Sequence, residues 1–457
     1  MKELAVVVLA AGMGKRFKSE LPKVMHLANG RPLLHHVLSA TGGIGARRTL
    51  VVTGTGRELV EKSVAESFDA EFVFQDKALG TGDAIARCRT ALDGFEGTVL
   101  VLNGDAPLIT ADTLLALVSA HSSGDAEVTL LTADLADPTG YGRVLLDEQG
   151  SIRGIVEEAD ASDQERKISL VSTGTWCFDK GALFEALEEI QPSNVQGELY
   201  LPDAALVILE KTGSINTLMT NDIDAVMGVN DRNQLAQASA KLRSRLLERL
   251  ASKGVTIEDP LTTYIDEGVE VGQDTVIRPL TFLEGSTRVG SGCQIGPSTR
   301  IVDSQIGDGV EISFAVIKES TVEDDSTVGP FASLRPGTVM RRGSKIGTFV
   351  ETKATTIGEE SKVPHLSYVG DTTIGARANI GAGTITGNYD GETKIKSKTI
   401  IEDGVLTGSG TTIVAPATLG KDSVTGAGSV VTKDVAPEDV VVGVPAKVVR
   451  KRKKPRP

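Results

Sequence analysis

Apolar residues recur at every sixth position through most of the second half of the chain, and this period limits the possible folds more than any other feature. A six-residue period is typical of a parallel β-helix, in which three hexapeptides form one triangular coil around an apolar interior. The sequence therefore predicts a left-handed parallel β-helix over residues 254–457. The repeating positions are Val271, Ile277, Leu283, Val289, Ile295 and Ile301, then Val322, Val328, Leu334, Met340 and Ile346, then Ile401, Thr407, Ile413, Leu419, Thr425 and Val431. Small residues often stand two places earlier: Thr287, Cys293 and Thr299, then Ser326, Ala332, Thr338 and Ser344.

The first half follows a different pattern, in which short apolar runs alternate with amphipathic stretches. The runs cover residues 5–10, 49–53, 98–102 and 127–132, and stretches such as 31–40 and 110–121 have a helical period. This alternation predicts an α/β domain over residues 1–229, with a Rossmann-like, mostly parallel sheet covered on both faces. Ligands of such folds lie beyond the carboxyl ends of the strands.

Between the two halves, residues 230–253 are predicted to form a connecting helix. Asp231 can cap its start and Gly254 fits just past its end. A chain of 457 residues exceeds one ordinary core, so several domains are expected.

Charge and cysteine content exclude several classes of protein. The net charge of −13 argues against nucleic acid as the main partner, and the basic run from Arg450 to Arg456 is expected to be a solvated tail. Cys88, Cys177 and Cys293 are far apart, which favours buried free thiols over a disulfide framework or zinc site. Without the pattern of a signal peptide or a membrane span, we expect a cytoplasmic protein.

Two motifs in the first half suggest phosphate chemistry. The first strand runs into a loop with Gly12, Gly14, Lys15 and Arg16, and Lys23 follows Pro22. Glycines let backbone N–H groups approach phosphate oxygens, and the cations can neutralise charge on a triphosphate. A Gly-x-Gly pair alone is more often a tight turn, so the neighbouring cations carry the prediction.

Asp105 forms the second motif, because Asn103-Gly104-Asp105 follows the apolar run 98–102. A carboxylate at the end of a strand beside a phosphate loop is where Mg²⁺ would be required. Taken alone, the same motif would be read as a turn aspartate.

Further motifs of the first half extend this pattern: Gln75 with Leu79-Gly80-Thr81-Gly82, Pro138-Thr-Gly-Tyr-Gly142-Arg, and Gly154-Ile-Val-Glu157. Together they resemble the sugar-1-phosphate nucleotidyltransferases. Joined to a hexapeptide β-helix in this order and size, they resemble the bifunctional GlmU family. That resemblance implies N-acetylation of glucosamine-1-phosphate by acetyl-CoA, then uridylyl transfer from UTP to N-acetylglucosamine-1-phosphate with release of pyrophosphate. It also implies small-molecule substrates and a homotrimer.

The resemblance also implies roles for individual residues of the first half. Arg16 and Lys23 would stabilise the phosphates, and Asp105 and Asn230 would bind Mg²⁺. Backbone and side chains around the first loop would hold the nucleotide: Leu9, Ala10, Ala11, Gly12, Lys23, Gln75, Gly80 and Thr81. The acetylated sugar would contact Gly142, Glu157, Ser172 and Asn230.

The sequence departs from the family pattern at four positions. Asn103 stands where Tyr is common, Lys15 where Thr is frequent, and Ser172 where an Asn contacts the sugar. Gly443 stands where some members place a CoA-binding Arg, and we hypothesise that basic residues beyond Lys447 supply that charge.

His365 is the only histidine of the second half and lies where the six-residue period is interrupted. A lone histidine is usually a surface or core residue, but polar neighbours such as Arg335 and Lys353 accompany it. These two cations are eighteen residues apart, one coil, so they are predicted to stack as a seat for a sugar phosphate.

The family resemblance implies that His365 is the general base of acetyl transfer, and we expect Glu351 to orient it. It assigns the sugar phosphate to Arg335, Lys353, Tyr368 and Asn379. It assigns acetyl-CoA to Ala382, Asn388, Tyr389, Ser409 and Ala427.

Two other functions fit parts of the sequence. A single-activity nucleotidyltransferase with a regulatory or trimerising β-helix would not require His365, Lys353 and Asn388 together. A purely structural scaffold with a degenerate head would not require Arg16, Lys23 and Asp105. A β-helix carbonic anhydrase is excluded by its need for several histidines.

Overall fold

A computed structural model of the chain describes residues 3–192 and 194–453. It divides into two compact units between Leu242 and Arg243. The predicted solvated tail, Arg450 to Arg456, lies partly outside the described residues, and its first two residues belong instead to the strand Ala446–Lys451.

The first unit is built around a mostly parallel sheet with helices on both faces, as predicted. Its central strand, Glu3–Leu9, pairs in parallel with Arg48–Thr53 and Gly97–Asn103. Across the sheet the strand order is Asn216–Met219, Val128–Asp134, Leu170–Asp179, Gly97–Asn103, Glu3–Leu9, Arg48–Thr53 and Glu71–Phe74. Gly142–Leu146 pairs with the interior strand Leu170–Asp179 and with Ile152–Val156, off this main path, and Leu27–Ala28 pairs with Arg31–Pro32.

The helices of the first unit cover both faces of this sheet and separate its apolar contacts into two clusters. They are Leu33–Thr41, Arg57–Ala65, Thr81–Ala86, Ala111–Ser123, Lys180–Glu189 and Leu201–Thr212. Buried Val and Leu side chains point to both sides of the central strand, which is why its sequence reads as a continuous apolar run.

The predicted connecting helix spans Arg232–Ser252, and the division between the units falls within it. The Asp231 carboxylate accepts the Gln234 N–H at 2.8 Å, which caps the first turn. Gly254 has φ of +90°, the left-handed conformation that ends many helices. The boundaries 1–229, 230–253 and 254–457 remain our prediction for the domains.

The second unit consists of short parallel strands stacked into three sheets, consistent with a left-handed β-helix. The first face contains Thr256–Ile257, Val276–Ile277, Gln294–Ile295, Glu311–Ile312, Thr327–Val328, Lys345–Thr348 and Lys362–His365. The second face contains Tyr264–Ile265, Thr281–Glu284, Thr299–Val302, Ala315–Lys318, Ala332–Leu334, Glu351–Lys353, Tyr368–Gly370, Ile385–Gly387, Thr412–Val414 and Val430–Val431. The third face contains Glu270–Val271, Arg288–Val289, Gln305–Ile306, Thr321–Val322, Val339–Met340, Thr356–Ile357, Thr372–Ile374, Thr399–Ile401 and Ala417–Leu419.

The first face continues beyond His365 through single bridges and ends in three more strands. Lys362 pairs with Asn379, Asn379 with Leu406, and Leu406 with Val424, all in parallel. The end of the solenoid is formed by Val424–Thr425, Asp439–Gly443 and the antiparallel Ala446–Lys451.

The six-residue period marks the interior of the coils, as predicted. Ile277, Ile346 and Ile413 are fully buried, and the small residues Thr287 and Ser344 lie inside as well. The weaker members of the period, Thr407 and Thr425, are accommodated because hydroxyls bond to each other inside the coil. One such pair is Thr411 with Thr425, at 2.8 Å.

Ile401 and Ile400 provide a direct test of this inward and outward alternation. Ile401 is 1% exposed, whereas Ile400 is 45% exposed. Ile401→Ala should destabilise the second unit by about 2–5 kcal/mol because it leaves a cavity. Ile400→Ala should cost no more than about 1 kcal/mol. Thermal melting at equal protein concentration measures both, and equal losses would contradict the assigned register.

Candidate active sites

A cavity of about 850 Å³ opens beyond the carboxyl ends of the central strands of the first unit. Leu9 and Asn103 end two paired strands and both line it. Because parallel strands end at one edge of the sheet, their loops converge there. Predicted residues among its walls are Leu9, Arg16, Thr81, Asp105, Gly142, Glu157, Ser172 and Asn230.

The loop after the first strand is anchored at its start by a backbone hydrogen bond, and it changes direction at Gly14. The Ala10 N–H donates to the Val52 carbonyl at 2.9 Å, while Ala11 and Gly12 continue toward solvent. Gly14 has φ of +63°, and a Cβ there would lie 2.6 Å from the Cβ of Lys23. A side chain at position 14 would therefore displace Lys23.

Lys23 brings together the two residues that were predicted to bind a metal. Its ammonium contacts the Asp105 carboxylate and lies 3.2 Å from Oδ1 of Asn230. The Val229 N–H donates to the Asp105 carbonyl at 2.9 Å, which fixes Asn230 beside Asp105. A cation already bridges a carboxylate and an amide oxygen at this point.

These two oxygens fit Mg²⁺, which prefers hard oxygen ligands. Within the described residues no group of three acidic, histidine or cysteine side chains is placed to hold a metal ion. Asp105 and Asn230 thus match the usual protein share of a magnesium site, in which substrate phosphates and water supply the other ligands.

Gln75 supports the loop that leads into the helix Thr81–Ala86, where the sequence predicted nucleotide contacts. Its amide donates to the Gly80 carbonyl at 3.1 Å and to the Asp83 carboxylate at 2.8 Å, and the side chain is buried. Thr81 accepts the Leu201 N–H through its hydroxyl at 3.0 Å. Gly80 leaves no room for a Cβ, which would be 2.3 Å from the Leu199 carbonyl oxygen.

Three of the predicted sugar residues, Gly142, Glu157 and Ser172, lie together in the cavity wall, whereas Asn230 lies beside Asp105. Gly142 pairs with Ser172 across two antiparallel strands, and a Cβ at Gly142 would lie 3.1 Å from a Glu157 carboxylate oxygen. Burial raises the pKa of the Glu157 carboxyl. The nearby carboxylates of Asp203 and Asp160 raise this pKa further, whereas the Arg143 guanidinium lowers it.

Sequence analysis missed some walls of this cavity. The strand containing Ser172 bulges before Trp176, and Gly174 in the bulge has φ of +75°. The amide of Asn103 lies where a Cβ of Gly174 would be, 2.3 Å from it. An isolated Gly in an apolar strand was the available signal for the bulge.

In the second unit, some of the residues assigned to acetyl transfer lie on successive coils of the first face. The register Lys362–Asn379–Leu406–Val424 places His365 next to Ala382. We name the resulting row the axial column; it consists of His365, Ala382, Ser409 and Ala427. Asn379 lies three positions before Ala382 on the same coil.

The axial column begins at an exposed histidine and continues over small side chains. His365 is exposed, and within the described residues its ring has no hydrogen-bond or ion-pair partner. The Gly410 N–H donates to the Ala382 carbonyl at 2.7 Å, and the Gly428 N–H donates to the Ser409 carbonyl at 2.8 Å. The column thus presents small side chains on successive coils beyond the histidine.

Of the predicted sugar-phosphate residues, Asn379 lies on the first face and the other three lie on the second, where Arg335 stacks on Lys353 as predicted from their spacing. Lys353 pairs in turn with Gly370. A Cβ at Gly370 would be 2.6 Å from the Tyr368 hydroxyl and 2.8 Å from the Asn388 amide. Gly370 thus allows two polar groups to meet beside the cations.

Lys396 adds a third cation that the sequence analysis did not identify. Its side chain meets that of Lys353 and lowers the Lys353 pKa; Arg335 lowers it further, whereas Asp371 raises it. Tyr389 pairs with Lys396 in a short loop. Converging ammonium groups mark a place for an anion.

Glu351 does not contact the histidine that it was expected to orient. Its carboxylate pairs with Arg335 at 2.8 Å, and both side chains are half exposed. The parallel register explains the difference, because it places Glu351 beside Tyr368 on the second face while His365 ends a strand of the first.

Replacing the adjacent carboxylates Glu157 and Glu158 by amides should change the stability of the fold at neutral pH in opposite directions. Because the folded pKa of Glu157 is raised, its ionisation destabilises the fold as pH rises above about 4.3. Glu157→Gln should therefore gain stability over the parent as pH rises to neutrality, measured by urea unfolding.

Glu158→Gln is the matched control. Burial raises the Glu158 pKa, but the Gly140 N–H and Arg143 lower it more. This variant should lose stability at neutral pH and recover the difference on acidification below about 4.3. The same sign for both variants would contradict the assigned environments.

None of the helices in the described part of the chain is both long and apolar enough to cross a bilayer.

Comparison with known proteins covers both units. Residues 6–168 match a family model described as a MobA-like NTP transferase domain. Three relatives named Bifunctional protein GlmU come from Heliobacterium modesticaldum, Syntrophomonas wolfei and a Thermotoga species. They are 47%, 45% and 45% identical to this chain over 95%, 96% and 98% of its length, and over 94%, 97% and 98% of their own. The chain therefore belongs to the bifunctional GlmU family, as the motifs of its two halves predicted.

Proposed function

We propose that the second unit acetylates glucosamine-1-phosphate with acetyl-CoA and that the first unit then joins the acetylated sugar phosphate to UTP. Membership of the GlmU family supports both reactions. The observation that carries the proposal is that two candidate sites occur on one chain. In the first unit Lys23 bridges Asp105 and Asn230 beside the cavity, and in the second His365 begins the axial column.

In uridylyl transfer, an oxygen of the sugar phosphate attacks the α-phosphorus of UTP and pyrophosphate leaves. Positioning and charge neutralisation carry most of such a reaction. Arg16 lines the cavity beside the phosphate loop, where it can meet the triphosphate. Gln75 and Thr81 shape the loop for uridine, and Gly142, Glu157 and Ser172 receive the sugar.

Mg²⁺, when bound by Asp105 and Asn230, supplies positive charge to the phosphates. In the free chain Lys23 neutralises Asp105. Lys23 is long enough to turn from that carboxylate toward a phosphate, while Gly14 leaves room for its stem. Its ammonium would then neutralise charge on the leaving pyrophosphate.

In acetyl transfer, the sugar amine attacks the thioester carbonyl, His365 takes the amine proton, and the C–S bond breaks to release CoA. The His365 ring, which has no hydrogen-bond or ion-pair partner among the described residues, is free to accept that proton, and imidazole is the side chain suited to proton transfer near neutral pH. Arg335, Lys353 and Lys396 offer charge to the sugar phosphate. Tyr368 and Asn379 remain the proposed sugar contacts, with Asn388, Tyr389, Ala382, Ser409 and Ala427 on the acetyl-CoA side.

Two substitutions should separate the activities. His365→Ala should lower acetyl transfer on the order of 10²–10⁴-fold and leave uridylyl transfer unchanged. Asp105→Ala should do the reverse. CoA release from acetyl-CoA and pyrophosphate release from UTP measure the two reactions on the same preparations.

The same assays distinguish the single-activity alternative. If the β-helix were only regulatory or structural, the parent chain would release no CoA in the presence of glucosamine-1-phosphate. Retained acetylation in His365→Ala would instead remove the histidine from its proposed role.

We also propose that the chain forms a homotrimer and acts in the cytoplasm, where UTP and acetyl-CoA are made. A row of exposed apolar side chains on one corner of the coils supports self-association. Phe331 stacks between Phe314 and Phe349 with centroid separations of 5.3 and 5.5 Å, and Leu366 continues the row. Phe331 is 55% exposed.

Phe331→Asp should disrupt this assembly because it places a charge in the apolar row. Light scattering coupled to size exclusion should show a trimer for the parent and for the control Phe331→Tyr. The aspartate variant should shift to monomer. An unchanged mass for Phe331→Asp would exclude this corner from the interface.

A further inference from the structure

Asn230, one of the two oxygen ligands proposed for Mg²⁺, lies in a short irregular segment that leads from a 3₁₀ turn into the connecting helix. We name residues 226–230 the Asn230 segment. Its far end is fixed by backbone donors: the Val229 N–H bonds to the Asp105 carbonyl at 2.9 Å, and the Asn230 N–H bonds to the Gln234 side chain at 2.7 Å. The near end of the segment is fixed from another part of the cavity.

Tyr141 holds that near end through its hydroxyl. The hydroxyl donates to the Val226 carbonyl at 3.2 Å and accepts the Gly228 N–H at 3.4 Å. A tyrosine hydroxyl stays protonated near neutral pH and can donate and accept at the same time. One oxygen atom therefore ties together two peptide groups of the Asn230 segment.

Gly228 lies directly against the proposed metal ligands. A Cβ at Gly228 would be 3.6 Å from Nδ2 of Asn230 and 4.0 Å from Oδ1 of Asp105. A shift of the backbone at Gly228 would therefore change the position of the Asn230 amide relative to the Asp105 carboxylate. Mg²⁺ requires nearly ideal octahedral geometry with ligands at about 2.0–2.1 Å, so it is sensitive to small shifts of this kind.

Tyr141 itself belongs to the sugar side of the cavity. It immediately precedes Gly142, which pairs with Ser172, and all three residues line the cavity. The preceding Gly140 N–H donates to the Glu158 carboxylate at 3.2 Å, and the Tyr141 ring packs against one of the buried apolar clusters of the first unit. The hydroxyl thus reaches the Asn230 segment from an anchored loop.

We propose that Tyr141 is a positioning residue of uridylyl transfer, whose hydroxyl aligns Asn230 with Asp105 for Mg²⁺. It acts through the backbone of Gly228 and needs no contact with the metal ion. This inference rests on the proposed uridylyl transfer, and it gives a role to a residue for which the sequence predicted none.

The test is equilibrium binding of UDP-N-acetylglucosamine, the product of the proposed reaction, to the full chain by calorimetry. Binding is measured with excess Mg²⁺ and with EDTA, and the ratio of the two affinities is the Mg²⁺ enhancement. Trp176 is the single tryptophan of the chain and lines the cavity, so its fluorescence gives an independent reading of the same binding.

Tyr141→Phe keeps the ring and removes the hydroxyl. This variant should lower the Mg²⁺ enhancement about three- to tenfold, because the Asn230 segment loses its hydrogen bonds to the hydroxyl. Affinity in EDTA should stay at the parent value, since the sugar wall and the nucleotide loop are unchanged.

Tyr200→Phe is the matched control. Tyr200 lines the same cavity, but within the described part of the chain its hydroxyl has no hydrogen bond to the Asn230 segment. Its loss should leave the Mg²⁺ enhancement at the parent value, whatever it does to the affinity in EDTA.

A parental Mg²⁺ enhancement in Tyr141→Phe would overturn the inference. An equal loss of affinity with Mg²⁺ and with EDTA would overturn it as well, because the hydroxyl would then support the cavity and not the metal ligands. If the parent binds the probe with Mg²⁺ enhancement but releases no pyrophosphate from UTP, the proposed reaction is refuted, and the two tyrosine variants still decide the role of Tyr141. A parent chain that binds no UDP-N-acetylglucosamine would overturn both.

Discussion

The backbone register between successive coils of the β-helix is the constraint on which the second site depends. Each coil is fixed over the next by parallel strand pairing, and the buried residue at every sixth position prevents it from slipping. A slip of one residue would turn the interior outward. Because register is so strongly specified, residues far apart in sequence are aligned along the axis without any side-chain contact between them.

Sequence spacing alone recovered this alignment only where the coils are regular. Arg335 and Lys353 are eighteen residues apart and stack as expected. Ala382 and Ser409 are twenty-seven apart because a loop containing Tyr389 is inserted between them, yet they also lie on adjacent coils. Sequence spacing could not reveal that Ala382 and Ser409 are aligned, because the inserted loop changes the spacing. Only the pairing of the strands shows the alignment.

Much of the first unit was likewise predictable, and the exceptions have a common cause. Continuous apolar runs located the strands, and the Asn103-Gly104-Asp105 motif located the cavity edge. The contact of Lys23 with Asp105 joins residues 82 apart and depends on the room left by Gly14. Glu351 was misassigned for the same reason: partners across separate strands are chosen by register, not by proximity in sequence.

The two candidate sites differ in how their charged side chains are balanced before any substrate binds. In the first, the Lys23 ammonium contacts the Asp105 carboxylate and the Asn230 amide oxygen, the two groups that we propose bind Mg²⁺. In the second, Lys353 and Lys396 meet without an anion between them, and the lowered pKa of Lys353 records the cost of that encounter. A bound phosphate would relieve the repulsion. In the free chain the Asp105 carboxylate is therefore already neutralised at the first site, whereas the second site keeps neighbouring positive charges that an anion would neutralise.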